Sequence, residues 1–240
     1  MIQLESYESN NIVFGITHAN TGSFTPNGFC ISVTNSVTES VVTNCRTELC
    51  KELGFDYNLA QFQQQVHSDV VVHRPIFNAN DLVPSDGMIT TQKGVLLCVS
   101  LADCCGVLLW DLKQQVIAAI HSGWRGTHQN ITGKAVTQLI HNYSCKPENL
   151  HVWLSPCASG ESYKVQKDVQ QYFPDFCHQI SDNEFLFDNK KAIQAQLSEC
   201  NIDTANIITS SACTIRNREY HSFRRDGVNS GRMSAFIAMK

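Results

Sequence analysis

Residues 94–121 read GVLLCVSLADCCGVLLWDLKQQVIAAIH, and the spacing inside this stretch decides the class of fold to expect. Gly94–Ala102, Gly106–Trp110 and Val116–Ile120 are three short, nearly continuous apolar runs, the pattern of strands covered on both faces. The segments between them are too short for helical crossovers. Consecutive strands this close cannot all be parallel, so a mixed-sheet α+β arrangement is expected rather than a doubly wound parallel sheet.

Working outward, Gly126 precedes an expected helix over about Thr127–Asn142, with Ile131, Ala135, Leu139 and Ile140 on its apolar side. Leu150–Leu154 reads as a strand ended by Ser155-Pro156, and Ile207–Thr209 as another. Two further helices are expected at about 165–173 and 188–200, the second capped by Asp188. Upstream, the valines of Gln63–His73 suggest a strand. Val42, Cys45, Leu49 and Leu53 recur at helical spacing over Glu39–Leu53, with Gly54 as a stop. The segment before about Asn44 is rich in Thr, Ser, Asn and Gly and reads as strands joined by loops.

The 240 residues suffice for one substantial core, and one domain over 1–240 is expected. A net charge of −4 and the lack of a basic stripe give nucleic-acid binding no electrostatic support. The opening MIQLESYESNNIVFG lacks a basic segment leading into an apolar core, and no apolar stretch reaches membrane-spanning length. A cytoplasmic protein is expected. Eleven cysteines, an odd number without any Cys-x-x-Cys pair, argue against a disulfide framework. Cys30, Cys98, Cys177 and Cys200 read as small buried hydrophobes.

Cys104 differs by context. Gln-Val-His at 65–67, Ala-Asp-Cys at 102–104 and His-Ser-Gly-Trp-Arg-Gly at 121–126 offer two imidazoles and one thiolate: His67, Cys104 and His121. Three protein ligands with an open fourth position suit a catalytic zinc rather than a structural one. Taken singly, each is a weak signal, and separations of 37 and 17 residues (67 to 104 to 121) match no local zinc motif. If the strands of 96–104 and 115–121 are sheet neighbours, Cys104 and His121 emerge at one sheet edge. Asp103, bracketed by buried strands, needs a partner. His73 and His128 are not expected to be ligands.

The order of motifs adds to this. QVHSD, DG-x-x-T (Asp86, Gly87, Thr90), LADC, HSGWRG, SPC at 155–157 with YKV at 163–165, and FRRDG-x3-GRM follow one another. This series resembles the YfiH-like family, long labelled multicopper polyphenol oxidase or laccase-domain proteins, over nearly the whole chain. The resemblance implies zinc bound by His67, Cys104 and His121, and action on purine nucleosides as phosphorylase and adenosine deaminase, with inorganic phosphate as co-substrate. A family helix pattern aligns on Val42, Cys45, Arg46 and Leu49, making Arg46 the candidate for phosphate or substrate binding. Three departures stand out: Cys45 for the usual Asn, Gly106 for a proline, and THANTGSFTP in place of an Arg-Gly-Gly loop. The expected fold is α+β, mixed β-sheets flanked by helices in layers α/β/β/α.

Candidate roles follow. Arg46 and Arg125 would hold phosphate as bidentate partners; Arg125 has an alternative structural role, stacked on Trp124 or paired with Asp103. Asp103 or Asp86 would relay protons. Expected substrates are adenosine, inosine and methylthioadenosine, handled by a monomer. One rival reading makes Cys104 a nucleophile with a histidine base, hydrolysing peptidoglycan precursors as the family's editing role suggests. Another is copper-dependent phenol oxidation, but multi-copper clusters draw on His-x-His pairs that this chain lacks, which leaves copper(II) as an adventitious occupant. A third is a binding module with a structural metal, which a fourth protein ligand would mark.

Overall fold

The computed structural model describes residues 2–24, 28–73 and 83–240; Thr25 and Pro26 of the THANTGSFTP segment lie outside them. A five-stranded sheet has the order β1 (Leu4–Ser9), β2 (Ile12–Thr17), β14 (Met233–Met239), β6 (Leu96–Leu101) and β3 (Ala60–Gln61). A six-stranded sheet has the order β13 (Ile207–Thr209), β9 (Leu150–Leu154), β7 (Cys105–Asp111), β8 (Val116–Ser122), β5 (Gly87–Thr90) and β4 (Val71–His73). A small third sheet joins β10 (Lys164–Val165), β12 (Phe185–Phe187) and β11 (Cys177–Gln179). Both large sheets mix parallel and antiparallel pairs.

The two large sheets pack face to face, and the alternation of side chains along each strand fills three layers. Leu97, Val99 and Leu101 of β6 meet Leu108, Ile117 and Ala119 of β7 and β8 between the sheets. The alternate residues Leu96 and Cys98 face helix α1 (Glu39–Leu53), whose Cys45, Leu49 and Cys50 cover them. On the far side, Val107, Leu109, Ala118 and Ile120 pack against α3 (Ile131–Tyr143) and α5 (Asn189–Glu199). The continuous apolar runs are thus strands with both faces covered, in the expected α/β/β/α layering.

The helix over 39–53, the strands at 150–154 and 207–209 and the Asp188 cap match expectation; the Asp188 carboxylate accepts from the Lys191 N–H at 3.0 Å. Four expectations are corrected. The strand over 63–73 is formed only at 71–73, because side chains rather than a neighbouring backbone satisfy most of this loop. Gln65 donates to the Ser100 carbonyl at 2.8 Å and accepts from its N–H at 2.6 Å. The helix over 127–142 is two, α2 (Trp124–His128) and α3, broken where Asn130 adopts φ +60° and caps Gly133. The helix at 165–173 shrinks to α4 (Lys167–Gln170), its start taken by β10.

Finally, β6 and β8 are not neighbours in one sheet. They belong to facing sheets, and residues 102–104 carry the chain across. The sheets close in at this point: a Cβ on Gly106 would lie 2.8 Å from the Ala235 Cβ of the opposite sheet. Among the described residues, no helix is long and apolar enough to cross a membrane.

Candidate metal centre

Three separate elements bring His67, Cys104 and His121 together at the end of the seam between the sheets. One donor atom from each lies within 4.8 Å of the others. His121 ends β8 and is buried, Cys104 is half-buried in the crossing, and His67 sits on the loop before β4. The two imidazoles meet edge to face, with ring centroids 4.9 Å apart.

Asp86 organises this cluster. It is fully buried, and an unpaired carboxylate there would cost several kcal/mol. It accepts from the His121 Nδ1–H at 2.8 Å, the His67 N–H at 3.1 Å, the Ser68 N–H at 2.6 Å and the Ser68 hydroxyl at 2.8 Å. The Val66 N–H adds a longer contact at 3.2 Å. One carboxylate therefore orients the His121 ring and curls the 66–68 backbone around itself, which places His67 at φ +58°. With Nδ1 engaged, Nε2 of His121 is left for a ligand, the carboxylate–imidazole support common behind metal-binding histidines.

Cys104 is held by its neighbour. Asp103 has φ +85°; its carboxylate accepts from the Thr214 hydroxyl at 2.6 Å and from the Arg224 main-chain N–H at 2.6 Å. Its carbonyl accepts from the Ala158 N–H at 2.9 Å. Gly123 keeps the space beside the thiol clear, since a Cβ there would stand 2.8 Å from Cys104 Sγ and 3.4 Å from the His67 ring.

Charge coupling runs through the group. Burial pushes the Cys104 thiol up, but the positive His121 and hydrogen bonds from His121 and His67 outweigh it and bring the thiol down to about 6. Burial likewise disfavours a charged His121, yet the Cys104 thiolate and Asp86 raise it to about 9. Asp86 is lowered to about 2 against its burial, by the hydrogen bond and charge of His121 and by Ser68. A thiolate and two imidazoles, with an open approach and a carboxylate behind one ring, fit a zinc-like cation. Among the described residues, no fourth Cys, His, Asp or Glu joins this group.

The three donors open onto a cavity of about 690 Å³, within the usual range for small-molecule sites. Arg46 projects from α1 onto its wall; its Nε donates to the Ile31 carbonyl at 2.9 Å and its guanidinium lies 4.0 Å over the Phe62 ring. Arg125 also lines it, stacked on Trp124 at 4.4 Å and not bonded to Asp103. His73 bonds to the Tyr143 hydroxyl, and His128 lies against Tyr172 with centroids 4.0 Å apart, both away from the cluster. Arg224, Arg232, Tyr163 and Phe223 also face the cavity. They went unread in the sequence, although the FRRDG and GRM runs contain three of them.

A family model described as multi-copper polyphenol oxidoreductase laccase matches residues 21–240. A purine nucleoside phosphorylase of Deinococcus radiodurans is 30% identical over 204 residues, 82% of this chain and 77% of that protein. A purine nucleoside phosphorylase of Clostridium acetobutylicum is 30% identical over 184 residues, covering 75% and 76% respectively. In fold, the crystal structure of the hypothetical protein YfiH of Bacillus licheniformis superposes with a TM-score of 0.93 at 23% identity, over 99% of this chain and 97% of that one. YlmD of Geobacillus stearothermophilus gives 0.90 at 24% identity, over 96% and 93%. With the match running from residue 21 to the C-terminus, this chain belongs to the multi-copper polyphenol oxidoreductase laccase family.

Proposed function

We propose that this protein is a zinc-dependent purine nucleoside phosphorylase that also deaminates adenosine, working as a cytoplasmic monomer on adenosine, inosine and methylthioadenosine. The observation that carries the reading is the convergence of His67, Cys104 and His121 on the floor of a cavity walled by arginines. Relatives named purine nucleoside phosphorylase support the substrate class. His67, Cys104 and the Nε2 of His121 would hold the zinc, which when bound supplies Lewis acidity toward a purine and toward water.

The chain's own groups do the rest. Arg46 and Arg232 face the cavity as paired guanidiniums suited to phosphate oxygens. Trp124, Tyr163 and Phe223 offer ring faces to a purine. Arg125, stacked on Trp124, stiffens that wall and adds positive charge. Asp86 fixes the His121 ring. The Asp103 oxygens are taken by Thr214 and the Arg224 main chain, so Asp103 acts here by holding the Cys104 turn in place of the proton relay expected for it.

One observation favours a second reading: the thiol brought down to about 6 beside an imidazole raised to about 9 resembles a nucleophile–base pair. A Cys104 hydrolase acting on peptidoglycan precursors would use it directly. Copper-dependent phenol oxidation has less support, since the cluster offers only two imidazoles.

Metal content and products from adenosine plus inorganic phosphate separate these readings. The proposal expects one zinc per chain, adenine and inosine as products, and loss of metal and activity together in Cys104→Ala. Activity that survives chelation but not alkylation of Cys104 would transfer the assignment to the hydrolase.

A further inference from the structure

Four guanidinium groups line the cavity: Arg46, Arg125, Arg224 and Arg232. Among the described residues, the arginine ion pairs are Arg216–Glu161 and Arg225–Asp226, so none of the four is neutralised by a carboxylate. The four form two sets. Arg46 and Arg232 are both latched to the Cys30–Ile31 segment: Arg46 Nε donates to the Ile31 carbonyl at 2.9 Å, and the Arg232 N–H donates to Cys30 Sγ at 3.1 Å. Arg125 and Arg224 lie elsewhere, over the rings of Trp124 (4.4 Å) and Tyr163 (5.1 Å). These four residues of the second set also line an adjoining recess of about 300 Å³.

A phosphate carries about −1.5 to −2 at neutral pH, a charge that Arg46 and Arg232 already match. The second set is then in excess of what one phosphate and a neutral nucleoside require. We infer that Arg125 and Arg224 receive an anionic group borne by the substrate itself, which makes the preferred substrate a purine nucleoside 5′-monophosphate. This rests on the phosphorylase reading above and deepens it.

The recess also limits the length of that anion. Its Lys164 is paired with Glu184 at 3.7 Å, and Asp168 has no cation partner among the described residues. Positive charge therefore sits at the arginine wall and a free carboxylate lies beyond it. A single phosphate is accommodated there and a di- or triphosphate is disfavoured. In the reaction, an oxygen of inorganic phosphate bonds to C1′ as the C1′–N9 bond breaks. The bonding pair leaves with the base, which takes up a proton. AMP and phosphate thus give adenine and ribose 1,5-bisphosphate with no change in oxidation state.

The test compares AMP, ATP and adenosine with inorganic phosphate on the zinc-loaded full chain, products being separated by chromatography. An added charge-assisted contact predicts kcat/KM for AMP about tenfold or more above that for adenosine, and above that for ATP. Arg224→Gln and Arg125→Gln, each checked for an unchanged thermal midpoint, should lower the AMP-to-adenosine ratio about tenfold. A ratio unmoved by either variant, or adenosine preferred over AMP, overturns the inference. If no substrate is converted, the phosphorylase reading fails by itself. Calorimetric binding then decides the inference: AMP tighter than adenosine and weakened by Arg224→Gln upholds it, and AMP equal to or weaker than adenosine ends it.

Discussion

Asp86 shows how much of the centre depends on one side chain that is not itself among the three donors. Its carboxylate holds the ring of one histidine and the backbone of the other, so two donors from distant elements share one anchor. Gly123 is the steric counterpart. Its φ of −81° suits any residue, so its requirement is space alone. Gly123→Ala puts a methyl carbon 2.8 Å from Cys104 Sγ without straining the backbone. The expected outcome is a loss of zinc affinity of about tenfold or more, with the thermal midpoint of the metal-free protein nearly unchanged. Chelator competition and calorimetry check the two halves of that statement.

Elements position the site through their ends. β8 delivers His121 at its last turn of pleat, then breaks at Gly123 into α2, whose first residues Trp124 and Arg125 wall the cavity. The stop after α2 is equally specific. Asn130 takes the left-handed conformation that asparagine tolerates, and its side chain accepts from the Gly133 N–H at 3.2 Å to begin α3. Asn130→Ala should cost about 2 kcal/mol by losing the cap and straining the backbone, whereas Asn130→Gly should cost only a few tenths. Urea denaturation of the two variants measures the difference. Equal losses would remove the cap from the explanation of why one expected helix is two.

At the scale of the whole molecule, contacts between distant parts of the chain close the fold around the seam. His221 is buried and donates from Nε2 to the Phe29 carbonyl at 2.7 Å, tying the segment before β14 to the N-terminal region. Gly231 makes room for the ring, since a Cβ there would fall 2.5 Å from it. Burial lowers the His221 pKa from 6.5, with the Phe29 carbonyl opposing the shift. The unfolded chain therefore takes up this proton first. The resulting stability is fully present above pH 6.5 and is lost as pH falls below it. The His221 ring resonances should titrate below pH 6.5, and the acid-side fall in unfolding free energy should be shallower in His221→Gln.

What the sequence by itself determined is local or repetitive. The apolar runs of 94–121 specify strands because burial on both faces leaves no polar alternation. The period of 39–53 specifies a helix, and the motif order singled out His67, Cys104 and His121. Only the tertiary structure decided which sheet each strand joins, because a run buried on both faces carries no mark of its neighbour. That is why β6 and β8, adjacent in expectation, lie in facing sheets. The loop of 63–70 reads as a strand from its valines, and only the buried Asp86 and the Ser100 backbone, both far along the chain, bend it into a support for His67. Side-chain charges summed over the sequence come to −4, yet four arginines gather at one cavity, since convergence in space leaves no periodicity for a sequence to display.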